Sequence, residues 1–138
     1  MQAQPLAGKT MGGPNTSFAV AEWSDPGGPV GERPRFIAPW HVHHNDDEAW
    51  YVLEGSLCVQ SGPERVDLGP GCGVLVPRGT PHTYWNPGPE RVRYLLMMSP
   101  VILALIQKIH AMTDRNHAAL SAVFEEFDSS LLEWPAFL

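Results

Sequence analysis

From residue 18 to residue 98 the chain alternates short apolar runs with clusters of glycine, proline and polar turn formers. β-Rich runs fall at Phe18 to Trp23, Arg35 to Val42, Glu48 to Leu53, Leu57 to Gln60, Arg65 to Leu68, Val74 to Val76, His82 to Trp85 and Val92 to Met98. Between them stand DPGGPVGERP, HNDD, EG, SGPE, GPG, PRGTP and NPGPE, all rich in residues that reverse a chain. Short strands at this spacing predict an all-β sandwich or barrel with mostly antiparallel neighbours. After Met98 the period changes. Ser99 is placed to cap a helix whose first turn holds Pro100, and Ile102, Leu105, Ile106, Ile109 and Met112 then recur on one helical face. Leu120, Val123, Phe124, Phe127 and Leu131 repeat that pattern. Two helices are therefore expected after the barrel, covering an outer face of it or meeting a dimer partner. His110 and His117 belong to them and read as ordinary helix residues.

Composition narrows the class. With 138 residues, 43% of them hydrophobic and 17% charged, the chain has the size and apolar content of one globular domain, expected to span 1–138 with the barrel over about 15–98. A formal charge of −6 and the lack of a basic run argue against a nucleic-acid surface. No apolar stretch is long enough to span a membrane. The opening MQAQPLAGKTMGG lacks the charged-then-apolar layout of a secretory leader, so cytoplasmic residence is expected. Cys58 and Cys72 are too few for a disulfide framework and read as small buried hydrophobes.

Two histidine-bearing strings carry the chemistry. The first is His41-Val42-His43, then Glu48, then Gly55, in PWHVHHNDDEAWYVLEG. Residues two apart on a strand share a face, about 6.7 Å apart, so His41 and His43 project together and His44 does not. The turn formers His44 to Asp47 reverse the chain and bring Glu48 across from the pair; Asp46 and Asp47 read as solvated turn residues. The second string is Gly71, Pro77, Gly79, His82 and Asn86, in GCGVLVPRGTPHTYWN. There Gly79 makes a tight turn that delivers His82 to the start of a strand. Three imidazoles and one carboxylate are the donor set that holds a divalent transition metal.

The two strings, in this order and spacing, resemble the paired motifs of the cupin superfamily, and of its small single-domain members in particular. The resemblance covers roughly residues 35 to 98 and implies a double-stranded β-helix, or jelly-roll, barrel. Carried over residue by residue, the family's metal ligands fall on His41, His43, Glu48 and His82, the four that strand parity also selects. The family often has a glycine six residues before the first histidine; here that position is Arg35, a structural departure that leaves the ligands in place. The metal is one of Fe, Mn, Ni, Cu or Zn. Four protein ligands on an octahedral ion leave two positions for substrate or dioxygen, and Glu48, swinging off the metal, becomes a candidate general base.

By the same parity Ile37, Trp50, Val52, Tyr84 and Asn86 point inward as a lining for a small-molecule ligand, with Ile37 and Val52 read first as core fillers. No arginine or lysine is placed among them, which weakens a sugar-phosphate substrate. The expected function is dioxygenase-type oxidation of a small aromatic or enol-bearing compound, resembling the quercetinase-like branch. A redox-neutral isomerase, lyase or cyclase, or a non-catalytic ligand-binding barrel, stands as the alternative. Outward apolar residues Trp40, Val42, Tyr51 and Leu53 point to a homodimer.

Overall fold

The computed structural model describes residue 3 and residues 6–138. Ten strands run in chain order: β1 (Thr10–Met11), β2 (Ala19–Asp25), β3 (His41–His43), β4 (Glu48–Glu54), β5 (Leu57–Ser61), β6 (Glu64–Leu68), β7 (Gly73–Val76), β8 (His82–Trp85), β9 (Val92–Met98) and, after two helices, β10 (Ser129–Leu131). The helices are α1 (Pro100–Ala111) and α2 (His117–Glu126). Strands β1-β2-β9-β4-β7 form one five-stranded sheet and β10-β3-β8-β5-β6 the other, with antiparallel pairing throughout. This is a jelly roll of two sheets, as the resemblance implies.

Alternation sets which side chains fill the interior. Along β4, Glu48, Trp50 and Val52 are buried while Tyr51 is exposed, and along β9 Val92, Tyr94, Leu96 and Met98 are buried. All of these buried residues but Glu48 join Leu57, Val59, Leu68 and Val76 in one apolar core. Each fully buried aliphatic side chain there contributes about 1.5–3 kcal/mol. Gly55 closes the β4–β5 turn at φ +81°, and a Cβ there would sit 2.3 Å from the Arg91 carbonyl oxygen, so only glycine fits.

Three expectations are corrected. The run Arg35 to Val42 is not one strand: Phe36 makes a lone bridge to Trp85, the chain bends, and pairing resumes only at His41. Pro39 has no N–H to give a ladder, and its carbonyl is taken by the His41 ring. The second helix ends at Glu126; Asp128 adopts φ +53°, and Ser129–Leu131 returns as a strand beside β3, pairing Ser129 with His43. The helices do not lie on an outer face. Ile102 and Leu103 of α1 pack into the barrel core, and Leu105 packs on Val123 and Phe124 of α2. Ser99 caps α1 as expected, its Oγ accepting from Ile102 N at 3.2 Å, and Asn116 caps α2, its Oδ1 accepting from Ala119 N at 2.8 Å. No described helix is long and apolar enough to cross a membrane.

Candidate metal centre

The two histidine strings meet at one end of the barrel. His41 and His43 come from β3, Glu48 from the start of β4 and His82 from the start of β8, with His41 and His82 opposite each other in the β3–β8 pairing. Two contacts join the turns that deliver them. Gly79 N donates to the His43 carbonyl oxygen at 2.7 Å, from a backbone at φ +78° that glycine alone adopts without strain. Asp47 accepts from the Arg78 backbone N at 2.9 Å and pairs with its guanidinium at 3.1 Å, so it braces the β3–β4 turn against the β7–β8 turn. Asp47 is thus more than the solvated turn residue expected.

All four candidate ligands are buried, and one donor atom of each lies within 4.8 Å of the others. The ring tautomers follow from the partners of Nδ1. His41 Nδ1 lies 2.6 Å from the Pro39 carbonyl oxygen and His82 Nδ1 2.9 Å from that of Thr80. Carbonyls only accept, so both rings carry their proton on Nδ1. His43 Nδ1 lies 2.7 Å from Ser129 Oγ, whose own proton goes to the Phe127 carbonyl at 3.2 Å, so this ring also donates from Nδ1. Three Nε2 lone pairs therefore converge. His41 Nε2 and His43 Nε2 stand 3.2 Å apart, and Glu48 Oε2 lies 2.8 Å from His43 Nε2 and 3.3 Å from His82 Nε2. With no proton between them, lone pairs at these distances repel unless a cation stands among them. Donor atoms held about 2.1 Å from a shared ion at right angles lie about 3.0 Å apart, close to the spacing here. The donor set fits a divalent transition metal.

Electrostatics agree with that fit. Burial works to raise the Glu48 pKa, but when His43 and His82 carry a second proton at Nε2 in place of a metal, their hydrogen bonds and charge outweigh it and hold the carboxyl well below the usual range. Burial, then the neighbouring His82 and His43, push His41 well below 6.5 and keep it neutral. A neutral imidazole and an ionised carboxylate are the forms that ligate metals.

The cluster opens on a cavity of about 470 Å³. Its walls include Ile37, Ala38, Tyr84 and Tyr94 from the barrel, Leu105, Ile106 and Ile109 from α1, and Phe124 from α2. Phe124 meets the His41 ring edge-on at 5.4 Å. No lysine or arginine lines the cavity among the described residues. Of the sequence-predicted lining, Ile37 and Tyr84 reach it and three residues do not. Trp50 and Val52 face inward but lie deeper, in the packed core. Asn86 turns away, donating to the Glu90 carbonyl at 2.8 Å and accepting from Gly88 N at 3.1 Å.

Sequence reasoning missed two kinds of residue. His110, read as an ordinary helix residue, lines the cavity and meets Trp23 edge-on at 6.1 Å. Ser129, which fixes the His43 ring, carries no local motif. His44 stands outside the cluster, exposed, with Nε2 2.9 Å from Ser130 Oγ. Cys58 is buried as expected, whereas Cys72 is exposed.

Comparison with known proteins agrees with the geometry. The cupin domain family Cupin_2 matches residues 32–98. No curated protein sequence matches the chain. Among solved structures, TT1209 from Thermus thermophilus is 26% identical, with TM-score 0.51 over 61% of this chain and 73% of that one. A protein with a double-stranded β-helix domain from Klebsiella pneumoniae is 22% identical, with TM-score 0.53 over 67% and 74%. A cupin-superfamily sugar phosphate isomerase from Silicibacter pomeroyi is 21% identical, with TM-score 0.51 over 61% of this chain and 51% of that one, so this chain spans about half its length. Matched motifs, a jelly-roll barrel and a buried three-histidine, one-glutamate cluster able to hold a metal ion together mark residues 32–98 as a cupin domain.

Proposed function

We propose that the chain is a metal-dependent, dioxygenase-type oxidoreductase acting on a small aromatic or enol-bearing compound, with one divalent transition metal held by His41, His43, Glu48 and His82. One observation carries the reading: the inward-facing nitrogen and oxygen donors open directly on an apolar cavity without a lining cation. A phosphorylated sugar needs cationic partners that this cavity lacks, so the likeness to a sugar phosphate isomerase is one of fold. When bound, the metal supplies a centre at which an electron-rich organic ligand and dioxygen exchange electrons.

The chain's own residues do the rest. Leu105, Ile106, Ile109 and Phe124 exclude water and hold an apolar ring. Glu48, once it leaves the metal, accepts the proton of an acidic hydroxyl or C–H on the bound compound. Because α1 and α2 wall the cavity and β10 orients a ligand, residues 1–138 act as one domain, without a separable helical extension.

We also propose a homodimer through the outer face of the β1-β2-β9-β4-β7 sheet. Tyr51 and Leu75 are exposed there, beside half-buried Leu53, Leu95 and Met97. Trp40 and Val42, first candidates for that role, are buried within the chain itself; Trp40 meets Phe137 edge-on at 6.1 Å.

Oxygen uptake by Fe(II)- or Ni(II)-loaded protein, supplied with flavonols, catechols and β-diketones, tests the reaction. Uptake that depends on both metal and compound is expected. Bound metal without uptake on any such compound moves a redox-neutral enzyme or a binding barrel ahead.

A further inference from the structure

Inside the apolar cavity stands one pair of neutral hydrogen-bonding groups from opposite sheets. Tyr84 of β8 and Tyr94 of β9 are both buried, both line the cavity, and place their hydroxyl oxygens 3.2 Å apart. Two hydroxyls bring two protons, and the contact between them uses one. No carbonyl or carboxylate among the described residues takes the other. A phenol keeps its proton at neutral pH, so each hydroxyl is a donor as well as an acceptor. A donor left over in an apolar wall has a cost unless a ligand meets it.

Resting on the function proposed above, we infer that the ligand carries a second oxygen acceptor, a neutral ketone or ester carbonyl, which the Tyr84–Tyr94 pair receives while the ligand's chelating end meets the four-residue cluster. Tyr84 lies two residues beyond His82 on β8, on the same face and about 6.7 Å along it, a spacing that one ring bridges. A carboxylate fits less well, since Glu48 lines the cavity and, among the described residues, no lysine or arginine does. The tyrosines are specificity-determining residues in this account and take no part in bond making.

Calorimetry with Zn(II)-loaded protein tests this without turnover, using 3,4-dihydroxyacetophenone and 4-ethylcatechol, which share the chelating end and differ in the carbonyl. Wild type should bind the ketone more tightly. Tyr94→Phe should cut that preference about twofold or more, because Tyr84 can still donate. Tyr84→Phe/Tyr94→Phe should cut it about five- to tenfold, with 4-ethylcatechol affinity held within about twofold as the sign that the cavity is intact. An unchanged preference in both variants, or equal loss for both compounds, overturns the inference and leaves the metal-and-cavity reading standing. Failure of wild type to bind either compound overturns the reading and the inference with it.

Discussion

His43 Nδ1 and Ser129 Oγ lie 2.7 Å apart across 86 residues of sequence. The contact ties the last strand of the chain to the four-residue cluster. Ser129 is fully buried and passes its own proton to the Phe127 carbonyl, so its oxygen is left to accept from the His43 ring. That fixes the tautomer and turns the Nε2 lone pair toward Glu48. Ser129→Ala should therefore keep the fold and weaken metal retention about 10- to 100-fold. Chelator competition measures it; unchanged affinity would show that β3 and packing alone orient the ring.

The candidate ligands separate cleanly from their neighbours. His41→Ala or His82→Ala should release most of the metal, since each removes one of four donors. His44→Ala and His110→Ala should leave metal content near wild type, because neither belongs to the cluster. Elemental analysis of the four purified variants decides between them, and equal loss at His44 would contradict the placement of β3.

Metal-free protein should lose stability as pH falls. The folded chain holds His41 well below 6.5, so the unfolded chain takes up a proton there that the folded chain refuses. Glu48 is also held below its ordinary 4.5, so its contribution is present above that pH and lost as pH drops toward its folded value. Both signs run the same way. Chemical denaturation midpoints should decline from about pH 7 to about pH 5, through His41, and further below that through Glu48. A flat profile to about pH 4 would contradict the buried, coupled cluster.

The two cysteines should differ in reactivity. Burial raises the Cys58 thiol to about 12, aided by its hydrogen bond to Asp67 at 2.9 Å, whereas Cys72 is exposed. Iodoacetamide at about pH 8 should label Cys72 rapidly and Cys58 only after denaturation, because the thiolate is the reacting form. Peptide mass mapping reads the difference.

Sedimentation should find a dimer at micromolar concentration. Leu75→Glu on the exposed β7 strand should shift it toward monomer, since a charge on each copy's face opposes burial. A wild-type monomer under the same conditions removes the claim.

Period-two alternation made the ligand set legible, because His41, His43, Glu48 and His82 all sit on or at the ends of regular strands. The same rule failed at Asn86, one residue past the end of β8, where the chain has turned and the side chain caps the Gly88–Glu90 loop. It identified the inward direction of Trp50 and Val52 but not their depth, and both lie in the packed core, outside the cavity wall. The helical stripes from Ile102 and from Leu120 were plain in the sequence. Where they dock was not, because helix placement is set by the surface that receives them. His110 at the cavity and Ser129 at His43 therefore had no local signal.

The four buried donors should hold one metal ion. Elemental analysis of protein as purified, repeated after titration of the chelator-stripped protein with Zn(II), Ni(II) and Fe(II), tests it most directly. The account predicts close to one divalent ion per chain, recovered on titration and abolished in His82→Ala. Folded protein that arrives without metal and binds none of the three ions would contradict it.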